Sequence, residues 1–198
     1  DFARIVGVDT YERIWSFPLL GERLFARALF GERVPGNEEF RAYMMRKHPD
    51  IAPFLDELLA VGEVVGLFLD HCMESVRWEE YAIIGFSTMG EQTLASVALA
   101  QRIKVLHPDR AIIFGGTNCQ GEMGVELHRS FPPIDYVCGG EADFTLPELA
   151  RRIIEGNRII DDIPGLVHRR QGVTRRTGGV AKVEELDAVP YPDYDDYF

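Results

Sequence analysis

The amino-acid sequence predicts an α/β fold built on a doubly wound parallel sheet, with a helical region before the sheet and a β-hairpin after it. Two observations support this prediction. Short apolar strands alternate with longer helical patterns through the middle of the 198-residue chain, and each of these strands ends in glycine or small polar residues. Apolar strands that alternate with helices are typical of a parallel sheet covered on both faces.

The N-terminal region, residues 1–76, is predicted to be helical. Apolar residues recur at helical spacing from residue 19 to residue 30, over a short segment at 38–47 and over a longer segment at 51–76. Gly62 and Gly66 lie inside the last segment, where glycine weakens a helix. The helical pattern starts at the first residues of the chain, so we expect a fragment. Three strands would make a narrow sheet, so we expect that the first strand of the sheet is missing.

The predicted α/β core covers residues 77–158. It contains a strand–loop–helix unit that occurs three times along the chain. The predicted strands lie at 81–86, 111–114 and 136–138, and the predicted helices at 94–106, 121–130 and 145–155.

Residues 159–186 are predicted to form a β-hairpin extension, because two strand-like runs flank Arg170-Gln171-Gly172. Residues 187–198 are rich in proline, aspartate and tyrosine. This composition is typical of a linker, and we expect it to lead into a further domain.

Composition excludes several classes of function. The chain has 32 acidic and 21 basic residues and a net charge of −11, which opposes binding to nucleic acid or to an anionic membrane. No apolar run is long enough to span a bilayer, and the opening residues lead us to expect no signal peptide. The three cysteines form no C-x-x-C pair, so we expect a reducing cytoplasm, no disulfide framework and no metal site.

The residues at the ends of the predicted strands form the candidate binding site. In open α/β sheets, ligands bind outside the carboxyl ends of the strands, and the helix that follows each loop offers a positive end to a phosphate. These residues alone fit a nucleotide, a flavin or a corrinoid. Glycine after a strand also serves simple tight turns, and Glu141 could instead cap the following helix. The candidate ligand contacts are Ser87, Thr88, Met89, Gln92, Gly115, Gly116, Thr117, Asn118, Gly139, Gly140 and Glu141.

The spacing of two of these motifs resembles a known family. Gly85-Phe-Ser-Thr-Met89, followed by Gly115-Gly116, resembles the Ser-x-Leu and Gly-Gly parts of the cobalamin-binding fold, with Met89 in the leucine position. The stretch 78–154 is similar to the cobalamin-binding domain of cobalamin-dependent radical S-adenosylmethionine (SAM) enzymes. The flanks, including Pro190-Tyr-Pro-Asp-Tyr-Asp-Asp-Tyr-Phe198, resemble the radical SAM maturases of ribosomally synthesised peptide natural products (RiPP maturation).

The resemblance implies a Rossmann-like fold that binds cobalamin beside the strand ends. It implies that a [4Fe–4S] cluster and S-adenosylmethionine belong to a radical SAM domain of the same chain beyond Phe198, because no Cys-x-x-x-Cys-x-x-Cys motif is present here. The full protein would be a methyltransferase that acts on a precursor peptide, and this part of it would be inactive alone, with no catalytic residue.

One departure from the wider cobalamin family concerns the cobalt ligand. The Asp-x-His-x-x-Gly motif is absent, and His71 follows Asp70 directly on a helical pattern. We therefore expect no histidine ligand to cobalt from this domain and a packing or surface role for His71.

Two other interpretations stay open. The chain could be a non-catalytic α/β module that binds a partner or a peptide without cobalamin. It could also be a flavodoxin-like flavin domain, although no aromatic pair stands at the predicted loop tips.

Overall fold

The computed structural model of the chain describes residues 2–157, 159–179, 182–191 and 193–195. Within them, the helices are Phe2–Val6 (α1), Val8–Ser16 (α2), Leu20–Phe30 (α3), Asn37–Lys47 (α4), Leu55–Ala60 (α5), Val65–Ser75 (α6), Thr93–Leu106 (α7), Gly121–Ser130 (α8) and Thr145–Ile154 (α9). The strands are Ile83–Ser87 (β1), Ala111–Gly115 (β2), Tyr136–Cys138 (β3), Leu166–Arg170 (β4) and Val173–Arg176 (β5).

The fold is α/β, with a five-stranded mixed sheet in the strand order β1-β2-β3-β4-β5. Strand β2 pairs with β3 in parallel, and β3 pairs with β4 in antiparallel fashion. The predicted hairpin is therefore confirmed as β4 and β5, but it continues the sheet. The parallel pairing predicted for the core is found between β2 and β3, and the sheet as a whole is mixed because β4 turns back to bond along the free edge of β3.

The hairpin between β4 and β5 is closed by a two-residue turn. Gln171 has φ 52° and Gly172 has φ 78°. Two central residues with positive φ match the right-handed twist of paired strands. The turn thus fixes the register that places Arg170 opposite Val173.

The chain divides into two compact units, Asp1–Ile112 and Ile113–Phe198, with the boundary inside β2. The predicted boundaries after residues 76, 158 and 186 stay predictions. The first unit is mostly helical, and α7 packs against α3 and α6. Its core is formed by the buried side chains Ile14, Leu20, Leu24, Phe25, Met44, Ile51, Leu55, Leu58, Leu59, Val65, Leu69 and Ala98.

The helix predicted over residues 51–76 is interrupted. Helix α5 ends at Ala60, the 3₁₀ turn Val61–Val64 follows, and α6 begins at Val65. A Cβ atom at Gly62 would lie 3.7 Å from a methyl group of Leu24, so the turn packs closely on α3. A prediction that treats the segment as one helix misses this tertiary contact.

The second unit places α8 against β3, β4 and β5. Its core contains Phe114, Val137, Leu149, Ile163 and Leu166, each with 0–2% of its surface exposed. No helix in the described part of the chain is both long and apolar enough to cross a membrane. Of the predicted linker 187–198, residues 192 and 196–198 lie outside the described residues.

Candidate functional site

The predicted site residues of the first unit lie in the loop after β1. Ser87 and Met89 are exposed, whereas Thr88 has no exposed surface. The side-chain oxygen of Gln92 accepts a hydrogen bond of 3.0 Å from the backbone N–H of Met89. Gln92 therefore closes the turn that leads into α7.

The N-terminus of α7 is already occupied by a carboxylate of the chain. The backbone N–H groups of Thr93 and Leu94 donate to Glu22, at 3.0 and 2.8 Å. A carboxylate at this position stabilises the positive end of the helix. Glu22 therefore competes for the backbone amides that the sequence analysis predicted to bind a phosphate.

The N-terminus of α3 is in turn capped by a glutamate that precedes α7. Glu91, in the loop before α7, accepts hydrogen bonds from the backbone N–H groups of Leu19 and Gly21. Burial raises the pKa of Glu91, the two backbone hydrogen bonds oppose this rise, and the charge of Glu22 adds to it. The two glutamates join α3 to α7, a role that no local sequence signal reveals because the partners are about 70 positions apart.

In the second unit, the ends of β2 and β3 lie side by side. Phe114 is opposite Val137 in the parallel register. A Cβ atom at Gly115 would lie 3.8 Å from the carbonyl oxygen of Cys138. The structure thus brings together the predicted site residues that follow these two strands.

Both strand ends reach the surface through a glycine with a positive φ angle. Gly116 has φ 91° and ψ −177°, and Gly140 has φ 92°. The conformation of Gly116 is essentially restricted to glycine. Gly116, Thr117 and Gly140 are exposed, so main-chain atoms are accessible at this edge.

Gly139 lies at the end of β3 and packs against the chain at Gly165. Its N–H donates to the carbonyl oxygen of Gly165 at 2.8 Å. A Cβ atom at Gly139 would lie 3.4 Å from that same oxygen. The glycine therefore allows the end of β3 to approach the chain that enters β4.

Apolar side chains stand beside this edge. Met123, in the first turn of α8, is 60% exposed, and Phe144, just before α9, is 53% exposed. The N-cap residues of the two helices, Gln120 and Phe144, make no side-chain hydrogen bond to their own helix ends. The edge therefore combines accessible main-chain groups with exposed apolar side chains.

Glu141 has a partner inside the second unit. Its carboxylate accepts a hydrogen bond from the backbone N–H of Val183. This bond ties the segment after the hairpin to the loop after β3. Glu141 does not cap α9, which has no side-chain hydrogen bond at its N-terminus.

The cysteine at the end of β3, Cys138, has low reactivity. Burial, together with nearby Cys119, raises the pKa of Cys138 to about 11. A protonated thiol is neither a good nucleophile nor a metal ligand. The described residues also hold no group of three or more His, Cys, Asp or Glu side chains placed to bind a metal ion.

No protein-family model matches the chain, and no curated protein matches it.

Proposed function

We propose that the second unit binds cobalamin along the ends of β2 and β3, as the cofactor domain of a radical SAM methyltransferase that acts on a precursor peptide. The observation that carries the proposal is the pair of exposed glycines, Gly116 and Gly140, with matched φ angles of 91° and 92° at adjacent strand ends. A Rossmann-like, doubly wound arrangement and a cytoplasmic location are parts of the same proposal.

The chemistry of the edge suits a large ligand with a polar tail. Glycines without Cβ atoms let a ligand approach the main chain. The Thr117 hydroxyl can donate or accept a hydrogen bond. Met123 and Phe144 offer apolar surface for a macrocycle, because binding pockets combine apolar contact area with a few placed polar groups.

The histidines of the second unit bear on how cobalt would be held. His128 has no exposed surface and His168 is 4% exposed. The two ring nitrogens of His128 contact Thr174 and the carbonyl oxygen of Asp135. Neither histidine is presented for coordination, which supports a cobalamin bound without a histidine from this unit.

Cobalamin, when bound, would supply the methyl-carrying cobalt, and the chain would position it. The resemblance in Ser87-Thr-Met89 also predicts ligand contacts within the first unit. Because Thr88 is fully buried, Ser87 and Met89 stay the predicted contacts of that loop.

Retention of hydroxocobalamin after gel filtration, read from its visible absorbance, tests this proposal. We expect the wild-type chain to retain a shifted corrin spectrum and Thr117→Trp to lose it, because the indole would cover the strand ends. Val173→Trp is the matched control. Val173 is also exposed but pairs with Arg170 at the opposite edge of the sheet.

The exposed Met123 and Phe144 also favour a second candidate, a module that binds an apolar partner surface without cobalamin. Under this alternative, the wild-type chain retains no corrinoid. A corrin spectrum retained equally by Thr117→Trp and Val173→Trp would contradict the proposed location of the site.

A further inference from the structure

A cavity of about 830 Å³ lies within the first unit, apart from the strand ends. Helices α3, α4 and α5 and the connecting loop over residues 31–36 form its walls. Its volume falls in the range of about 300–1,000 Å³ that is typical of small-molecule sites. Nothing in the proposed cobalamin contacts involves these residues.

Three arginines line the cavity: Arg23, Arg27 and Arg41. Arg23 has a supporting role. Its guanidinium donates to the carbonyl oxygen of Pro35 and, at 3.0 Å, to the side-chain oxygen of Asn37. It thereby holds the loop that closes one side of the cavity.

Arg27 and Arg41 each use only part of their guanidinium in the described contacts. Arg27 pairs with Glu32 at 3.1 Å, and Arg41 pairs with Asp56. A guanidinium has five N–H donors in a planar fork that matches a carboxylate or a phosphate. Donors therefore remain for an oxyanion in the cavity.

The present partners of these arginines are replaceable. The side chains of Glu32 and Asp56 are 92% and 78% exposed. Ion pairs at such exposed positions contribute little to stability. An incoming oxyanion can thus exchange with each carboxylate while the carboxylate turns into solvent.

The rest of the lining defines the ligand further. Leu24 and Leu59 give the cavity a buried apolar floor, and Gly31 and Gly36 leave open space where side chains would stand. Glu63 also lines the cavity, and its negative charge disfavours an acidic ligand group close to it.

We infer that this cavity binds a small organic molecule with two oxyanion groups, held by Arg27 and Arg41 over the apolar floor. The site lies wholly in the first unit and does not rest on the proposed cobalamin function. Pyrophosphate and glutarate are suitable probes, because they separate phosphate from carboxylate as the preferred oxyanion.

Isothermal titration of the full chain at fixed ionic strength, without divalent cations, tests the site. We expect saturable binding of at least one probe, weakened about tenfold by Arg41→Ala and less by Arg27→Ala, through loss of charge-assisted hydrogen bonds. The effect of Arg27→Ala is smaller because its side chain is 75% exposed, against 43% for Arg41. Removal of the competing carboxylates in the double variant Glu32→Gln, Asp56→Asn should strengthen binding severalfold, an effect that a purely structural role would not produce.

Arg46→Ala is the matched control, since Arg46 lies on the same helix as Arg41 but packs over Tyr43 outside the cavity lining. Its affinity for the probe should equal that of the wild-type chain. The site is refuted if neither probe binds the wild-type chain or the Glu32→Gln, Asp56→Asn variant. An equal loss of affinity in Arg46→Ala also refutes it, since binding would then follow overall charge.

Discussion

Glu22 links two helices that are far apart in the sequence. Its carboxylate accepts the backbone N–H groups of Thr93 and Leu94, and replacement by alanine leaves both amides without this partner. We expect Glu22→Ala to lower the free energy of unfolding by about 1–2 kcal/mol, measured by urea denaturation with circular dichroism. Glu74→Ala, a change at an exposed position of α6, is the control. An equal effect of the two substitutions would show that the cap contributes nothing.

His128 makes the second unit sensitive to acid. Burial lowers the pKa of His128, and the charge of Arg169 lowers it further, while the carbonyl oxygen of Asp135 opposes the shift. A histidine whose pKa is lower in the folded chain binds its proton mainly on unfolding. Its contribution to stability is complete above the unfolded pKa of about 6.5 and is lost as the pH falls through the folded pKa.

We therefore expect the free energy of unfolding of His128→Gln to fall less than that of the wild-type chain between pH 7.5 and pH 5. The glutamine amide can still donate to Asp135 but has no proton to gain. Urea denaturation at several pH values measures the slope. His71→Gln changes an exposed histidine of the first unit and serves as the control. An unchanged slope in His128→Gln would contradict the assignment.

At the scale of elements, the close approach of α8 to the chain after β2 depends on Gly124. A Cβ atom there would overlap the carbonyl oxygen of Cys119 and lie 2.9 Å from its carbonyl carbon. We expect Gly124→Ala to destabilise the fold by about 1–3 kcal/mol, because the helix must shift.

Gly66 is the matched control for this effect. It lies in α6, and a Cβ atom there would meet nothing within 4 Å. Gly66→Ala should stabilise the fold by about 0.4–1 kcal/mol, because alanine restricts the unfolded chain. Thermal denaturation compares the two variants. A Gly124→Ala protein as stable as the wild-type chain would show that the helix does not need this contact.

At the scale of the whole molecule, local sequence patterns predicted most elements. Helices α3, α4, α7, α8 and α9 are found in the segments predicted to be helical, and the apolar runs of β1 to β3 are confirmed as strands. The break at Val61–Val64 falls at Gly62, a residue that the sequence marks as weakening the predicted helix, but the 3₁₀ turn itself was not predicted.

The candidate site was predictable only in part, because several of its contacts join residues that are distant in the sequence. Consecutive strand ends of an α/β sheet fall at one edge, which is why Gly115, Gly116 and Gly139 were found from sequence. The capping of α7 by Glu22 and the contact of Glu141 with Val183 join distant segments. The cavity between α3, α4 and α5 likewise depends on helix packing that periodicity alone does not specify.

Amide hydrogen exchange with and without hydroxocobalamin is the best test of cobalamin binding at the ends of β2 and β3, because it reports on each strand end separately. The proposal predicts slower exchange at residues 115–119 and 139–143 when the ligand is present, with no change at the hairpin turn around Gly172. Unchanged exchange at both strand ends under saturating hydroxocobalamin, or protection confined to other parts of the chain, would contradict cobalamin binding at this edge.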